Sequence, residues 1–477
     1  MSVTERVVAA VDLGASGGRV IAGILEEGRV RLDELHRFDN GARQHDGHLR
    51  WDIGSLYGEV LVGLSRVAET YPQVESVGID TWAVDYALLD HAGNLLGDPI
   101  AYRDDRTLAA VDEVHRVVPA GELYAINGLQ HLPFNTIFQL AAERRSARWA
   151  DTAHVVLLPD LLAYWLTGEL ATEETNASTT GLLDVHTRRW SDELLTRCEI
   201  PAEMLPPLQA PGSIRGAVRP DLCQSLGLRP GTVVTTVASH DTASAVVAVP
   251  AATTAFAYIA SGTWSLVGLE LDHPIVDQQS WAANFTNEGG VDGRTRFLRN
   301  TGGLWLLQEA MRSWRSEGRQ LELEGLLVEA AAVDGDVPLI DVDDELFIVP
   351  GGMHRRIAEA AGDPGLIAHP ARLARCVVES LASAYAATVA DAKHLSRREV
   401  DVVHVVGGGS RNELLCQRTA DRCGVPVTAG PVEATALGNV LIQARALEAA
   451  PGSLEDLRGI VRNSTQVQTY APQVALR

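Results

Sequence analysis

Lysine and arginine never gather into a run in this 477-residue sequence, and acidic residues outnumber them 62 to 40, a formal charge of −22. A chain so acidic repels phosphate polymers, which excludes a dedicated nucleic-acid binder. Cysteine is scarce: five, at 198, 223, 376, 416 and 423, with no CxxC pair. That odd, scattered set argues against a disulfide framework and a zinc ribbon and for buried thiols. The opening MSVTERVVAAVDLG lacks an apolar h-region, so no secretory signal is expected. The uncharged stretch Thr242–Leu269 is long enough to span a bilayer, but Pro250, Gly262, Gly268 and many Ser/Thr make it read as strands and turns. What is present is apolar material, 46% of residues against 21% charged, which excludes disorder and supplies large cores. The expectation is a soluble, cytoplasmic chain of about two or three domains, with no membrane and no nucleic-acid partner.

The first 38 residues read as strand, Gly-Ala-Ser-Gly-Gly turn, strand, Glu-Glu-Gly turn, strand. No helix follows the glycines, so neither a Rossmann loop nor a P-loop is indicated. Helical periodicity covers Ile53–Val67, Leu108–Val118 and Thr136–Ser146, with strands at Val74–Asp80, Ala153–Leu158 and Val233–Ala238. From Ala255 to Leu271 an apolar strand, a Ser-Gly-Thr turn and a second strand echo the opening about 248 residues later. Helices at Leu304–Trp314 and Arg372–Leu395, a strand at Val402–Val406, a Gly407-Gly408-Gly409 turn and a helix at Asn412–Cys423 follow. The pattern predicts two duplicated α/β halves joined near Val249–Thr254.

Three turns are candidate anion or nucleotide sites. In Asp12-Leu-Gly-Ala-Ser-Gly-Gly-Arg19, small residues expose backbone N–H groups, Asp12 can hold hydrated Mg²⁺ beside an anion, and Arg19 adds fixed charge. An ordinary tight hairpin fits that turn as well. Ser261-Gly-Thr-Trp offers a second such turn, with Thr263 as a donor, and Gly407–Gly409 a flat backbone for a purine or ribose, although strand–Gly–helix joints are common. Asp241, in the uncharged run Val-Ala-Ser-His-Asp-Thr-Ala-Ser-Ala-Val, is the sharpest single residue, because an unpaired buried carboxylate is expensive. It suits a proton acceptor in phosphoryl transfer; an N-cap or a partner for His240 are the plainer roles. Asp80, Trp82 and Asp85 combine polar groups with an indole plate, which suits a sugar; a core Trp with a capping Asp fits equally.

These segments, with WDIGSL (51–56), AYRDDRT (101–107), LPFNT (132–136), TNASTTGLLD (175–184), NFTNEGG (284–290), GLWLLQ (303–308), VVGGGSRNELLCQ (405–417) and AGPVEATALGN (429–439), resemble the FGGY carbohydrate kinases of the actin/Hsp70/sugar-kinase superfamily, most closely the rhamnulokinase branch. They run in family order across nearly the whole chain. The resemblance implies an α/β fold of two duplicated actin-like (ribonuclease H-like) domains, 1–248 with the sugar site and first phosphate loop, 249–477 with the second loop and adenosine site. It implies transfer of the γ-phosphoryl of Mg·ATP to the 1-hydroxyl of L-rhamnulose. By position, Ala15, Ser16, Gly17, Gly18 and Arg19 correspond to the ATP phosphate loop, Asp241 to the proton acceptor, His240–Thr242 to a substrate-contacting segment and Ala83 to a sugar contact; Asp12 for the metal and Trp82 and Asp85 for the sugar rest on the residue chemistry above. Thr263, Asn300, Gln308 and Gly408 fall where the family contacts ATP. Two positions depart: Gly17 stands where Ser is common, and Ala83 replaces a Gly (TWAVD for TWGVD), which points at ketose preference. The rival readings are a kinase for another ketose or polyol (L-fuculose, L-xylulose, autoinducer-2) and a nucleotide-dependent module of the actin/Hsp70 kind.

Overall fold

The computed structural model describes residues 5–473. By contacts the chain forms two compact units: Met1–Ala252 with Glu270–Phe297 and Ala434–Ser464, and Thr253–Leu269 with Leu298–Glu433 and Thr465–Arg477.

The first unit is built on a six-stranded sheet ordered Ile214–Ala217, Val233–Thr235, Ser76–Thr81, Arg6–Gly14, Gly17–Glu26, Arg29–Asp39. Arg6–Gly14 and Gly17–Glu26 form an antiparallel hairpin, while Ser76–Thr81 and Val233–Thr235 add parallel strands. Val7 to Val11 are fully buried, as expected of an apolar run covered on both faces. One covering helix is Ile53–Thr70, capped by Asp52, whose carboxylate accepts from the Ser55 N–H at 3.0 Å. Its buried stripe Ile53, Leu56, Val60, Leu64 and Val67 has helical spacing. Another is Ala434–Ala446, which meets the sheet over two glycines. A Cβ on Gly23 would lie 2.4 Å from the Val440 methyls, and one on Gly78 2.5 Å from Asn439 Oδ1. The strand expected over Val233–Ala238 leaves the ladder at Thr235, because the following segment bonds to a side chain: Glu173 accepts from the Ser239 N–H at 3.0 Å and hydroxyl at 2.8 Å.

The second unit repeats the plan. Phe256–Ser261 and Trp264–Leu271 form the hairpin, and Val402–Val406 and Val427–Ala429 run parallel beside it. Gln468–Tyr470 closes that edge antiparallel, as Ile214–Ala217 does in the first unit. The helix Pro370–Ser396 is long and apolar enough to cross a membrane, but 72% of its apolar window is buried in the protein, as in a core helix.

Candidate functional site

Within the first unit the polar residues singled out from sequence converge at the C-terminal ends of the parallel strands, where open α/β sheets place ligands. Asp12 lies opposite Arg19 across the hairpin, with which it forms an ion pair, and opposite Asp80 on the neighbouring strand. Thr81 pairs with His240, and the Thr81 N–H donates to Ser239 O at 2.9 Å. The hairpin turn of Ala15 and Ser16 is open, and a Cβ on Gly17 would press on Phe38 O at 3.2 Å. On Gly18 the same atom would strike the Phe38 ring and Leu13.

The carboxylates here feel one another. Burial pushes the Asp80 carboxyl well above the usual range, and the charges of Asp12 and Asp241 push it further, against the Asn439 amide that donates to it at 2.5 Å. Its Oδ1 is buried with no hydrogen-bond partner. Asp241 opens the helix Asp241–Val247, with its side chain one-third exposed. Burial raises its carboxyl as well; His240 lowers it and Asp12 raises it. All its protein partners meet one oxygen, Oδ1: the Thr242 N–H at 2.5 Å, the Thr242 hydroxyl at 3.1 Å, and His240 Nε2 at 3.4 Å.

Trp82 and Asp85 belong to a tighter cluster. Asp85 is fully enclosed and accepts from the indole N–H groups of Trp51 (2.7 Å) and Trp82 (2.9 Å) and from the Gln139 amide (3.2 Å). Burial lifts its carboxyl to about 6 against those three donors. The two indoles pack tilted at 44° with 4.3 Å between centroids. Asp85 is thereby a hub that shapes the loop. Ala83 is half-buried at the loop's open side, and the left-handed residue is its neighbour Val84, φ 67°. A β-branched residue held there is a strained position, fixed by Thr136 and Gln139, both donating to Val84 O.

In the second unit the hairpin turn is packed backbone to backbone. Leu304 N donates to Gly262 O at 3.0 Å and Trp305 N to Thr263 O at 3.2 Å. A Cβ on Gly303 would fall 2.5 Å from Thr263 O, and one on Gly409 2.0 Å from Ser261 Oγ. Gly408 alone among these is exposed, with nothing within 4 Å of a Cβ. Thr263 lies in that turn and Gly408 beside it; Gln308 is exposed on the first turn of the helix Trp305–Ser316, and Asn300 lies on the strand Thr295–Gly302 that precedes this helix.

Sequence reasoning missed Glu173, Glu288, Arg296 and Asn439. Glu173 is buried and accepts five hydrogen bonds, from Thr175, Asn176 and Ser239. Arg296 is fully buried and pairs with Glu288 at 3.0 Å. Burial would raise the Glu288 carboxyl, but the Arg296 charge and His240 hold it below the ordinary range. The signal available was charge inside otherwise apolar or small-residue segments, TNEGG and RTRFL.

Residues 7–248 match the N-terminal domain of the FGGY family of carbohydrate kinases and residues 257–447 its C-terminal domain. The chain belongs to the FGGY family of carbohydrate kinases. It is a carbohydrate kinase of rhamnulokinase-like type. It is 41% identical to a rhamnulokinase of Bacteroides thetaiotaomicron over 97% of this chain and 95% of that one, and 38% identical to one of Bacillus subtilis over 97% and 95%. Among solved structures it is similar to gluconate kinase from Lactobacillus acidophilus (TM-score 0.80, 17% identity, 98% of this chain and 94% of that one). Glycerol kinase from Plasmodium falciparum is similar too (TM-score 0.76, 14% identity, 98% and 94%). At those identities the structures establish the FGGY fold, with its paired sheets.

Proposed function

We propose that the chain transfers the γ-phosphoryl group of ATP to the 1-hydroxyl of L-rhamnulose, giving L-rhamnulose 1-phosphate and ADP, in the cytoplasm. The observation that carries this is the identity of about 40% to rhamnulokinases along nearly the full length of both chains. Residues 1–248 are read as the sugar-handling domain and 249–477 as the nucleotide-handling one.

In this reading Asp241 Oδ2, the oxygen that no protein group engages among the described residues, accepts the proton of the ketose 1-hydroxyl. The alkoxide oxygen bonds to the γ-phosphorus as the bond to the β-phosphate oxygen breaks, and ADP leaves with that electron pair. Ala15–Gly18 present bare backbone to the phosphates and Arg19 holds Asp12 in place. Trp82, Ala83, His240 and Thr242 border the sugar, and Asp85 acts by fixing the two indoles. Thr263, Asn300, Gln308 and Gly408 receive the nucleotide.

The donor set fits Mg²⁺, which takes hard oxygens, often one or two carboxylates together with phosphates and water. Asp12, Asp80 and Asp241 repel one another, and the buried Asp80 Oδ1 is unmatched. No group of three or more His, Cys, Asp or Glu is placed to cage a metal among the described residues. Asp12 would hold it; when bound, Mg²⁺ neutralises charge on the β- and γ-phosphates.

Ala83 favours one second reading, a related ketose as the preferred acceptor. A coupled assay of ADP release with L-rhamnulose, L-fuculose and L-xylulose tests both. The expected result is the highest kcat/KM with L-rhamnulose; turnover no higher than background ATPase with every sugar overturns the kinase assignment for this site.

A further inference from the structure

His240 lies between two carboxylates. Its Nε2 is 3.4 Å from Asp241 Oδ1, and its Nδ1 is 3.4 Å from Glu288 Oε2. Nδ1 also faces Arg296, whose Nη2 approaches to 3.0 Å. The guanidinium is held through two of its nitrogens: Nη2 is 3.0 Å from Glu288 Oε2 and Nε donates to Gly289 O at 2.9 Å, while Nη1 is buried without a hydrogen-bond partner among the described residues. Arg296 is wholly buried, and Glu288 and His240 nearly so.

A guanidinium carries donors only, and it does not lose its proton in proteins. A neutral imidazole has one donor nitrogen and one acceptor. Nδ1 facing Arg296 therefore accepts, and the ring proton belongs on Nε2, the nitrogen turned to Asp241. The opposite tautomer turns a second donor on the guanidinium, forfeits the 3.0 Å bond between them and leaves Nδ1–H only Glu288 Oε2 at 3.4 Å. Glu288 balances the charge that does this, since a lone buried guanidinium is prohibitive.

We infer that Arg296, held by Glu288, is a positioning residue that fixes His240 as the Nε2–H tautomer. His240 then joins Thr242 in donating to Asp241 Oδ1, and Oδ2 remains free for the substrate hydroxyl. This rests on the reading of Asp241 as proton acceptor, but its first test, the tautomer itself, does not depend on activity.

With ¹⁵N-labelled histidine, long-range proton–nitrogen correlation spectra of the full chain distinguish Nε2–H from Nδ1–H rings, and His240→Gln assigns the signal. The wild type is expected to show Nε2–H at His240; Nδ1–H there overturns the inference whatever the role of Asp241. The double variant Glu288→Leu/Arg296→Met removes both charges together, which buried pairs often tolerate. It is expected to mix the tautomers and to lose kcat by about tenfold to a hundredfold, the usual cost of an orienting partner, with KM for ATP near wild type. Arg296→Lys keeps a cationic donor and is expected to retain the wild-type tautomer and part of kcat. Wild-type kcat in the double variant overturns the inference. A failure of the base assignment shows separately, as undiminished kcat in Asp241→Asn.

Discussion

The two units use one sheet plan for opposite purposes. In each, a hairpin is flanked by two parallel strands and closed by an antiparallel edge. Two residues before the hairpin's last pair, the first unit places Asp12 opposite Asp80, and the second places Ile259 opposite Val405. One hairpin ends beside mutually repelling carboxylates, the other in a turn against which Gly303 and Gly409 of neighbouring segments are packed. In the proposed reading, the same scaffold would serve acid–base chemistry where its strand ends carry charge, and a close-fitting ligand where they carry none.

The largest break in this comparison comes from its charged side. Asp241→Asn keeps the shape and removes the proton acceptor; kcat is expected to fall by about 10²–10⁴-fold with KM for ATP nearly unchanged. The same assignment sets a pH dependence. Burial raises the Asp241 carboxyl, so the base becomes protonated, and kcat falls, at a higher pH than for an ordinary carboxylate near about 3.9. An acidic limb of kcat at or below that ordinary value would remove Asp241 from the role.

The second unit breaks by bulk. Gly409→Ala places a methyl carbon against Ser261 Oγ, and a loss of about 1–3 kcal/mol in denaturant unfolding is expected. Gly408→Val meets open space, so it is expected to leave stability near wild type while raising KM for ATP. Equal stability losses at 408 and 409 would contradict the division between packed and ligand-facing glycines.

Asp80 sharpens the comparison by a smaller amount. Its carboxyl is raised in the folded protein by burial and by Asp12, so the fold binds that proton more tightly than the unfolded chain does. Its stabilising share is full below the unfolded value and is lost as pH rises through the folded one. Asp80→Asn is therefore expected to be more stable than wild type at pH 8, by about 0.5–2 kcal/mol, and to lose that advantage at acid pH. Melting curves at several pH values decide; a pH-independent difference sinks the account.

The smallest effect is expected at Ala83. One half-buried methyl shifts kcat/KM ratios among L-rhamnulose, L-fuculose and L-xylulose by no more than about tenfold in Ala83→Gly, without abolishing activity. Constant ratios across the three sugars would remove position 83 from specificity.

The hairpins and most helices were legible because local pattern dictates them: Val7–Val11 has no face to show water, and Ile53–Val67 keeps its apolar residues on one helical stripe. Asp241 was legible as a charge without local company. Arg296 and Glu288 were not, because a buried pair is recognisable only once two strands bring its members together. Nor did the sequence tell that Val84, rather than Ala83, carries the backbone strain, since a side chain does not announce the φ that its neighbours impose. The return of Ala434–Ser464 to the first unit was hidden for the same reason: a helix buried nearly all round does not name the sheet it covers.

That return has a consequence for how the chain is made. The amide that steadies Asp80 belongs to Asn439, 359 residues downstream, and Gly78 and Gly23 are kept bare for the helix that carries it. As the polypeptide emerges from the ribosome, the sheet that begins at Arg6 must wait for nearly all of the rest before its covering helix arrives. Synthesis in order and completion of the fold are thus decoupled: the amino-terminal half is translated first but completed only near the end of the chain, and a nascent chain stalled before Ala434 exposes an unfilled apolar seat to chaperones and proteases.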